Sequence, residues 1–273
     1  MLAPAKINLS LIIHGKRPDG FHEMESLMVP ISLADTLSFE PSDTLEFTCT
    51  DPSLPLDSDN LVVRAAKSFF TRTGTKPAVK IRLEKQIPHG AGLGGGSSDA
   101  ATTFLALNSL FETDLPLEEL SSLAAAIGSD IPFFLYRSAA ICRGRGEIVG
   151  PIEFNHSLPL LLIKPPFGVP TPWAYKRWKD SLEIPGVSYA EQTLPWGTLV
   201  NHLERPVFEK YLFLAHLKNW LQAQPESEAA LMSGSGATMF AICRSPQASQ
   251  ELEAKARAEF GPTLWLQTCQ TQL

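Results

Sequence analysis

Cysteine is scarce in this chain. Four residues (Cys49, Cys142, Cys243 and Cys269) lie far apart in 273 positions, and no C-x-x-C occurs. That spacing offers neither a clustered zinc site nor a disulfide framework and fits a reducing compartment. Long apolar runs are missing too: none approaches the roughly 18 residues a membrane span needs. The N-terminus shows no basic stretch followed by an apolar one, because Lys6 and Asn8 interrupt it early. Basic charge is not in excess either, with 23 Lys and Arg against 29 Asp and Glu and a net charge of −6. Proteins that bind nucleic acid usually carry a basic face, so nucleic acid is not the expected main partner. A nucleotide needs only local donors and stays open. The expectations are a cytoplasmic protein, a monomer or weak homodimer, with no nucleic-acid or membrane partner.

What the chain has instead is a glycine loop. Residues 88–101 read PHGAGLGGGSSDAA, with Gly90, Gly92, Gly94, Gly95 and Gly96 inside seven positions. Before the loop, Val79, Ile81 and Leu83 alternate with Lys80, Arg82 and Glu84, the period of a half-buried strand. After it, Ala100, Ala101, Phe104, Leu105, Ala106 and Leu107 form an apolar face at helical spacing. Strand, loop and helix follow in order. Glycine lets successive backbone N–H groups converge and approach a ligand closely. The helix start adds unpaired N–H groups and partial positive charge, which together suit a phosphate chain. The plainer reading is a helix cap, with Ser97 or Ser98 as N-cap.

Gly90-Ala91-Gly92-Leu93-Gly94-Gly95 satisfies G-x-G-x-x-G, a pattern that alone is weak. A dinucleotide site also wants an acidic residue about 20 positions on, at a strand end. Glu112 and Asp114 lie near that distance, but in a polar turn before Pro116. The Walker pattern fails because Gly96 stands where its lysine belongs. The loop resembles P-x-x-x-G-L-G-S-S of the GHMP kinases, and its expanded form G-L-G-G-G-S-S resembles the diphosphocytidyl-methylerythritol kinase family within them.

Other stretches carry the same resemblance. Ile7, Leu9, Leu11 and Ile13 alternate with polar and apolar neighbours as a first strand, with Lys6 at its start. By spacing alone Lys6 is a solvated strand end, and His22 in RPDGFHE is a surface loop histidine. PAKINLSL and RPDGFHEMESL resemble the family's N-terminal signature. That resemblance implies that Lys6 and Asn8 lie in the catalytic centre, that Phe21 stacks on the cytosine of the substrate, and that His22 hydrogen-bonds its edge. The family commonly has tyrosine where Phe21 stands. Residues 27–56 alternate short apolar runs (Leu27–Ile31, Thr36–Phe39 and Leu45–Thr48) with Asp/Pro/Ser turns, Asp35 among them, and read as antiparallel strands and hairpins. Asp59 or Asn60 caps a helix ending at Gly74; the resemblance places Asn60 and Lys85 near the adenine of ATP.

Pro116–Ile127 reads as a helix that stops at Gly128. In Gly128-Ser129-Asp130-Ile131-Pro132-Phe133-Phe134, Asp130 reads as an N-cap. The resemblance makes it the carboxylate facing the acceptor hydroxyl. Gly144-Arg145-Gly146-Glu147 reads as a turn, and Pro159–Lys164 as a buried strand. Residues 165–176, PPFGVPTPWAYK, read as an extended loop; by resemblance Thr171 is near the substrate and Tyr175 is a second base-stacking aromatic. Residues 180–230 suggest packed helices without assigned function. Gly234, Ser235 and Gly236 sit in LMSGSGATMF, similar to the third GHMP motif, and Gln247–Phe260 is an amphipathic helix.

The resemblance implies an α+β, two-lobed fold. Residues 1–150 would form a ribosomal-protein-S5-domain-2-like, ATP-binding lobe, and 151–273 a ferredoxin-like α/β-plait lobe on the substrate side. It implies transfer of the γ-phosphoryl of ATP to the 2-hydroxyl of 4-diphosphocytidyl-2-C-methyl-D-erythritol in isoprenoid precursor synthesis. ATP would lie on Pro88, Gly90, Ala91, Gly92, Leu93, Gly94, Gly95, Gly96, Ser97 and Ser98, with Mg²⁺ bridging and Ser98 a weak metal ligand. Lys6 would keep Asp130 ionised. Asp99, where the family often has asparagine, is expected in a capping or ribose/base role. A mevalonate or homoserine kinase, or a non-catalytic ligand sensor, are the alternatives.

Overall fold

A computed structural model of the chain describes Met1–Gln272. Two sheets organise it. The first half supplies β1 (Leu2–Asn8), β2 (Ser10–Lys16), β3 (His22–Pro41), β4 (Glu46–Cys49), β5 (Val79–Glu84), β6 (Ala140–Gly144) and β7 (Ile148–Pro151). Its helices are α1 (Leu61–Thr73), α2 (Gly95–Leu110), α3 (Leu117–Ile127) and α4 (Ile131–Leu135). The second half supplies β8 (Pro159–Lys164), β9 (Gln192–Leu194), β10 (Gly197–Asn201), β11 (Ser227–Met232), β12 (Met239–Cys243) and β13 (Trp265–Gln270). Its helices are α5 (Thr171–Arg177), α6 (Glu204–Lys210), α7 (Leu212–Gln222) and α8 (Pro246–Phe260).

The spine is β3. Short hairpins are expected over residues 27–56, yet β3 runs unbroken for 20 residues. One edge pairs with β1 and then β2, the other with β5 and β6, all antiparallel. The Asp35 that reads as a turn residue is instead fully buried. Its Oδ1 accepts from the N–H groups of Gln86 and Ile87 at 2.6 and 2.9 Å, so the strand continues through it. The expected single first strand is two, β1 and β2, offset by a bulge around Leu9, whose N–H donates to Leu27 O at 2.8 Å. β4 joins β5 in parallel rather than as a hairpin.

The loop-bearing unit follows the expected order. In β5 the apolar side chains are buried and the charged ones exposed. α2 is a core helix, buried from Ser98 to Phe104, packed between α1, α4 and the sheet. Phe69, Phe104 and Phe133 are among the largest fully buried side chains there, each worth roughly 1.5–3 kcal/mol in burial. This rigid packing fixes where α2 begins.

The second sheet has the order β11-β12-β8-β13 and is antiparallel. α7 and α8 pack on it. Two expectations fail in this half. Residues 165–176 are not extended throughout, because Pro172 at the start of α5 suits a helical first turn. Residues 180–230 are not only helical: β9 and β10 extend the first sheet, with β10 parallel to β2. No helix among the described residues is long and apolar enough to cross a membrane.

Candidate active site

α2 begins earlier than either serine. Gly94 is its N-cap, in the left-handed region (φ 70), and no side chain caps the helix. The first backbone bond runs from Ser98 N–H to Gly94 O at 2.9 Å. The N–H groups of Gly95, Gly96 and Ser97 therefore have no intrahelical acceptor. They open on an outer cavity of about 470 Å³ lined by Leu54, Pro55, Asn60, Leu61, Lys85, Asp99 and residues 88–97.

Of the residues expected at ATP, Pro88, Gly90 to Ser97, Asn60 and Lys85 line this cavity. Ser98 does not; its Oγ is buried and lacks a hydrogen-bond partner. Asn60 caps α1, with Oδ1 accepting from Val62 N–H at 3.0 Å and Nδ2 donating to Pro55 O at 2.9 Å. The Lys85 ammonium is held by Asp35 and, at 2.9 Å, by Asp99. Asp99 lines this cavity but does not cap α2. Its Oδ2 pairs with Lys85 while its buried Oδ1 has no partner. Burial, reinforced by nearby Asp35 and opposed by Lys85, pushes the Asp99 carboxyl up to about 7.

The glycine loop divides this space from a smaller inner cavity of about 110 Å³; Gly92 and Gly94 line both. Lys6 is at its floor, only 3% exposed. Its Nζ donates to Asn8 Oδ1 at 2.6 Å and Gly92 O at 3.0 Å, and lies 3.8 Å from Asp130 Oδ2. Burial lowers its pKa, and the neighbouring Asp130 opposes that. Asn8 is oriented by donation to Ser26 Oγ at 2.7 Å, which donates to Ser10 O at 2.5 Å. Asp130 occupies the N-cap position of α4 but makes no capping hydrogen bond. Its carboxylate is left free to face the cavity.

Thr171, Tyr175, Gly234 and Ser235 complete the wall. Thr171 and Ser235 hydroxyls are 2.7 Å apart. The third-motif loop rests directly on the glycine loop: Ser233 Oγ donates to Gly92 O at 3.0 Å and Thr238 N–H to Ala91 O at 3.2 Å. Phe21 and His22 stand at the rim. Phe21 is half exposed beneath the Arg145 guanidinium, 4.7 Å away. The His22 ring lies 5.5 Å from Tyr175 and 6.1 Å from Trp178. Partial burial, with Lys16 adding to it, lowers the His22 pKa and favours the neutral ring. A neutral imidazole offers one donor and one acceptor.

Sequence reading misses three contributors. Asp35 reads as a turn, Arg145 as part of a glycine turn, and Asn201 falls in an unassigned stretch. Asn201 Nδ2 holds both Met232 O and Gly234 O at 2.7 Å. None of these has a local motif; each acts through a partner distant in sequence.

Among the described residues no group of three or more His, Cys, Asp or Glu is arranged around a metal position. Mg²⁺ held with a nucleotide needs only one or two protein ligands beside phosphate oxygens. The Ser98 Oγ at the start of α2 is an unpartnered oxygen just behind the cavity-lining Ser97 and Asp99, and is the candidate for such a ligand.

Residues 60–138 match the GHMP kinases N terminal domain, and residues 191–262 match GHMP kinases C terminal. A 4-diphosphocytidyl-2-C-methyl-D-erythritol kinase of Methylacidiphilum infernorum is 46% identical over 97% of this chain and 93% of its own length. The chain belongs to the 4-diphosphocytidyl-2-C-methyl-D-erythritol kinase family. A chloroplastic member from Oryza sativa is 41% identical over 89% of this chain and 64% of its own. A crystal structure of 4-(cytidine 5'-diphospho)-2C-methyl-D-erythritol kinase superposes with a TM-score of 0.83 at 34% identity, covering 100% of this chain and 99% of that one. L. major mevalonate kinase, at 14% identity and a TM-score of 0.69, shares the fold alone. The expected α+β, two-lobed GHMP architecture is present, and the protein is a kinase of this family.

Proposed function

We propose that the protein transfers the γ-phosphoryl group of ATP to the 2-hydroxyl of 4-diphosphocytidyl-2-C-methyl-D-erythritol, a step of isoprenoid precursor synthesis. One observation carries this reading. A buried lysine paired with a cavity-facing carboxylate, and an open helix N-terminus, lie on opposite sides of the thin wall made by Gly92 and Gly94. Residues 1–150 then form the nucleotide lobe and 151–273 the substrate lobe, with β9 and β10 returning to the first sheet.

ATP would occupy the outer cavity with its phosphates on the N–H groups of Gly95, Gly96 and Ser97. Phosphoryl transfer demands alignment and charge stabilisation more than covalent chemistry. Asp130 orients the acceptor hydroxyl and takes its proton, a role typically worth about 10²–10⁴-fold. Lys6, fixed by Asn8 and Gly92 O, is the charge partner of that carboxylate and faces the charge developing on the transferred group. At the rim, Phe21 and Tyr175 provide faces for the cytosine, and neutral His22 provides matching polar atoms for its edge. Thr171 and Ser235 hydroxyls border the polyol. Mg²⁺, with Ser98 Oγ as its candidate protein ligand, would neutralise charge on the β- and γ-phosphates.

The test is ATP consumption with Mg²⁺ and a panel of acceptors. Turnover is expected with 4-diphosphocytidyl-2-C-methyl-D-erythritol and not with mevalonate or homoserine. Preference for either of those would overturn the roles given to Phe21 and His22. A protein that binds ATP and phosphorylates nothing would be a ligand sensor.

A further inference from the structure

Two cations line the inner cavity, Lys6 and Arg145. An ammonium has three donors; two of those of Lys6 go to Asn8 Oδ1 and Gly92 O, and its charge is paired with the Asp130 carboxylate 3.8 Å away. Arg145 is situated differently. It stands in the turn joining β6 to β7, where Glu147 accepts from its backbone N–H at 2.6 Å and from its Nε at 3.4 Å. Glu147 thereby fixes the root of the side chain. The two Nη groups have no protein acceptor within hydrogen-bonding distance among the described residues. Nearby Arg17 is unavailable, being paired with Asp19 and Glu23.

Position completes the case. The Arg145 guanidinium lies 4.7 Å from the Phe21 ring at the aromatic rim, and Arg145 also lines the cavity that holds Asp130. The adjacent Gly146 backs the Asp130 carboxylate: a Cβ there would be 3.5 Å from Oδ1. Arg145 therefore bridges the space between the rim where a base would stack and the carboxylate where a hydroxyl would react. The substrate proposed above carries its diphosphate in that interval. Asp130 and the Gly92 carbonyl both oppose an anion, and Lys6 already compensates them.

We propose that Arg145 is a specificity-determining residue that binds the diphosphate bridge of the nucleotide-linked substrate. Its planar fork matches phosphate oxygens bidentately, which a point charge does not. It thereby sets the spacing between the base at Phe21 and His22 and the hydroxyl at Asp130. This inference rests on the substrate reading of the preceding subsection.

The experiment measures competitive inhibition by cytidine and by CDP against the acceptor, for the intact protein, Arg145→Gln and Arg145→Lys. Charge-assisted hydrogen bonds predict that CDP inhibits the unaltered protein about 10- to 100-fold more tightly than cytidine. Arg145→Gln should erase most of that ratio while leaving cytidine inhibition, the KM for ATP and the melting temperature unchanged. Arg145→Lys should restore part of it. An unchanged ratio in Arg145→Gln would overturn the proposal. So would an equal loss for cytidine and CDP, which would place Arg145 at the base instead. If the unaltered protein bound neither compound, the substrate reading would fail and this inference with it; a normal ratio in the unaltered protein confines any failure to Arg145.

Discussion

Replacing Gly92 with alanine gives a sharp test of how the two loops meet. Gly92 has φ +76, and a Cβ there would lie 2.3 Å from Ser233 O and 2.9 Å from Gly236 O. Both obstacles are backbone, so no side chain can swing aside. The left-handed conformation alone costs a non-glycine residue about 1–2 kcal/mol. Separating the loops also weakens the bonds from Ser233 Oγ to Gly92 O and from Thr238 N–H to Ala91 O, each worth about 0.5–1.5 kcal/mol. The total is about 2–5 kcal/mol. At roughly 2–4 °C per kcal/mol for chains near this size, the melting temperature falls by roughly 4–20 °C. Because Gly92 O also holds Lys6, turnover falls by about 10²-fold or more, the typical result of an ångström-scale misplacement. Two controls divide the effect. Gly90 has φ +63 with nothing within 4 Å of its Cβ position, so Gly90→Ala carries the conformational cost alone. Gly96 lacks a positive φ and would meet only Leu61 Cδ1 at 3.4 Å, so Gly96→Ala should be close to neutral in stability. Thermal melts and steady-state kinetics on the three variants decide the matter. Equal behaviour of Gly92→Ala and Gly90→Ala would refute the loop-contact reasoning.

Two further outcomes follow from single side chains. Ser98→Ala removes a buried hydroxyl with no partner, so stability should hold or rise by up to about 1 kcal/mol, whereas turnover at limiting Mg²⁺ should drop; unchanged Mg²⁺ dependence would dissociate Ser98 from the metal. Asp99 has a folded-state pKa of about 7 against a reference of 3.8. Its contribution is therefore full below about pH 4 and lost as pH rises through about 7. Stability of the unaltered protein should fall relative to Asp99→Asn across that window, by at most a few kcal/mol, and level off above it. Urea unfolding at several pH values reads this directly, and a pH-independent gap would contradict it.

Much of the site is legible because its signals are local. Alternation in Val79–Glu84, the glycine run and the apolar face after Ala100 fix strand, loop and helix within one stretch of chain. Lys6, Asp130 and residues 234–236 come from separate motifs, and the fold brings them around one small cavity. What stays hidden depends on pairing across the chain. Asp35 resembles a turn former until Lys85, 50 residues on, and two backbone N–H groups claim its carboxylate. β9 and β10 are too short to show a period and exist through pairing with each other and β2. Asp130 shows how local reading can misjudge a role: its position is that of a cap, but its carboxylate is not used as one. Asn201 and Arg145 carry no pattern because their meaning lies in what they reach.

The most direct test of the account is phosphoryl transfer to 4-diphosphocytidyl-2-C-methyl-D-erythritol by the unaltered protein beside Asp130→Asn, with ATP affinity measured in parallel. The account predicts equal ATP affinity and a loss of turnover of about 10²–10⁴-fold in the variant. Undiminished turnover in Asp130→Asn would show that the carboxylate beside Lys6 is not the group that activates the acceptor.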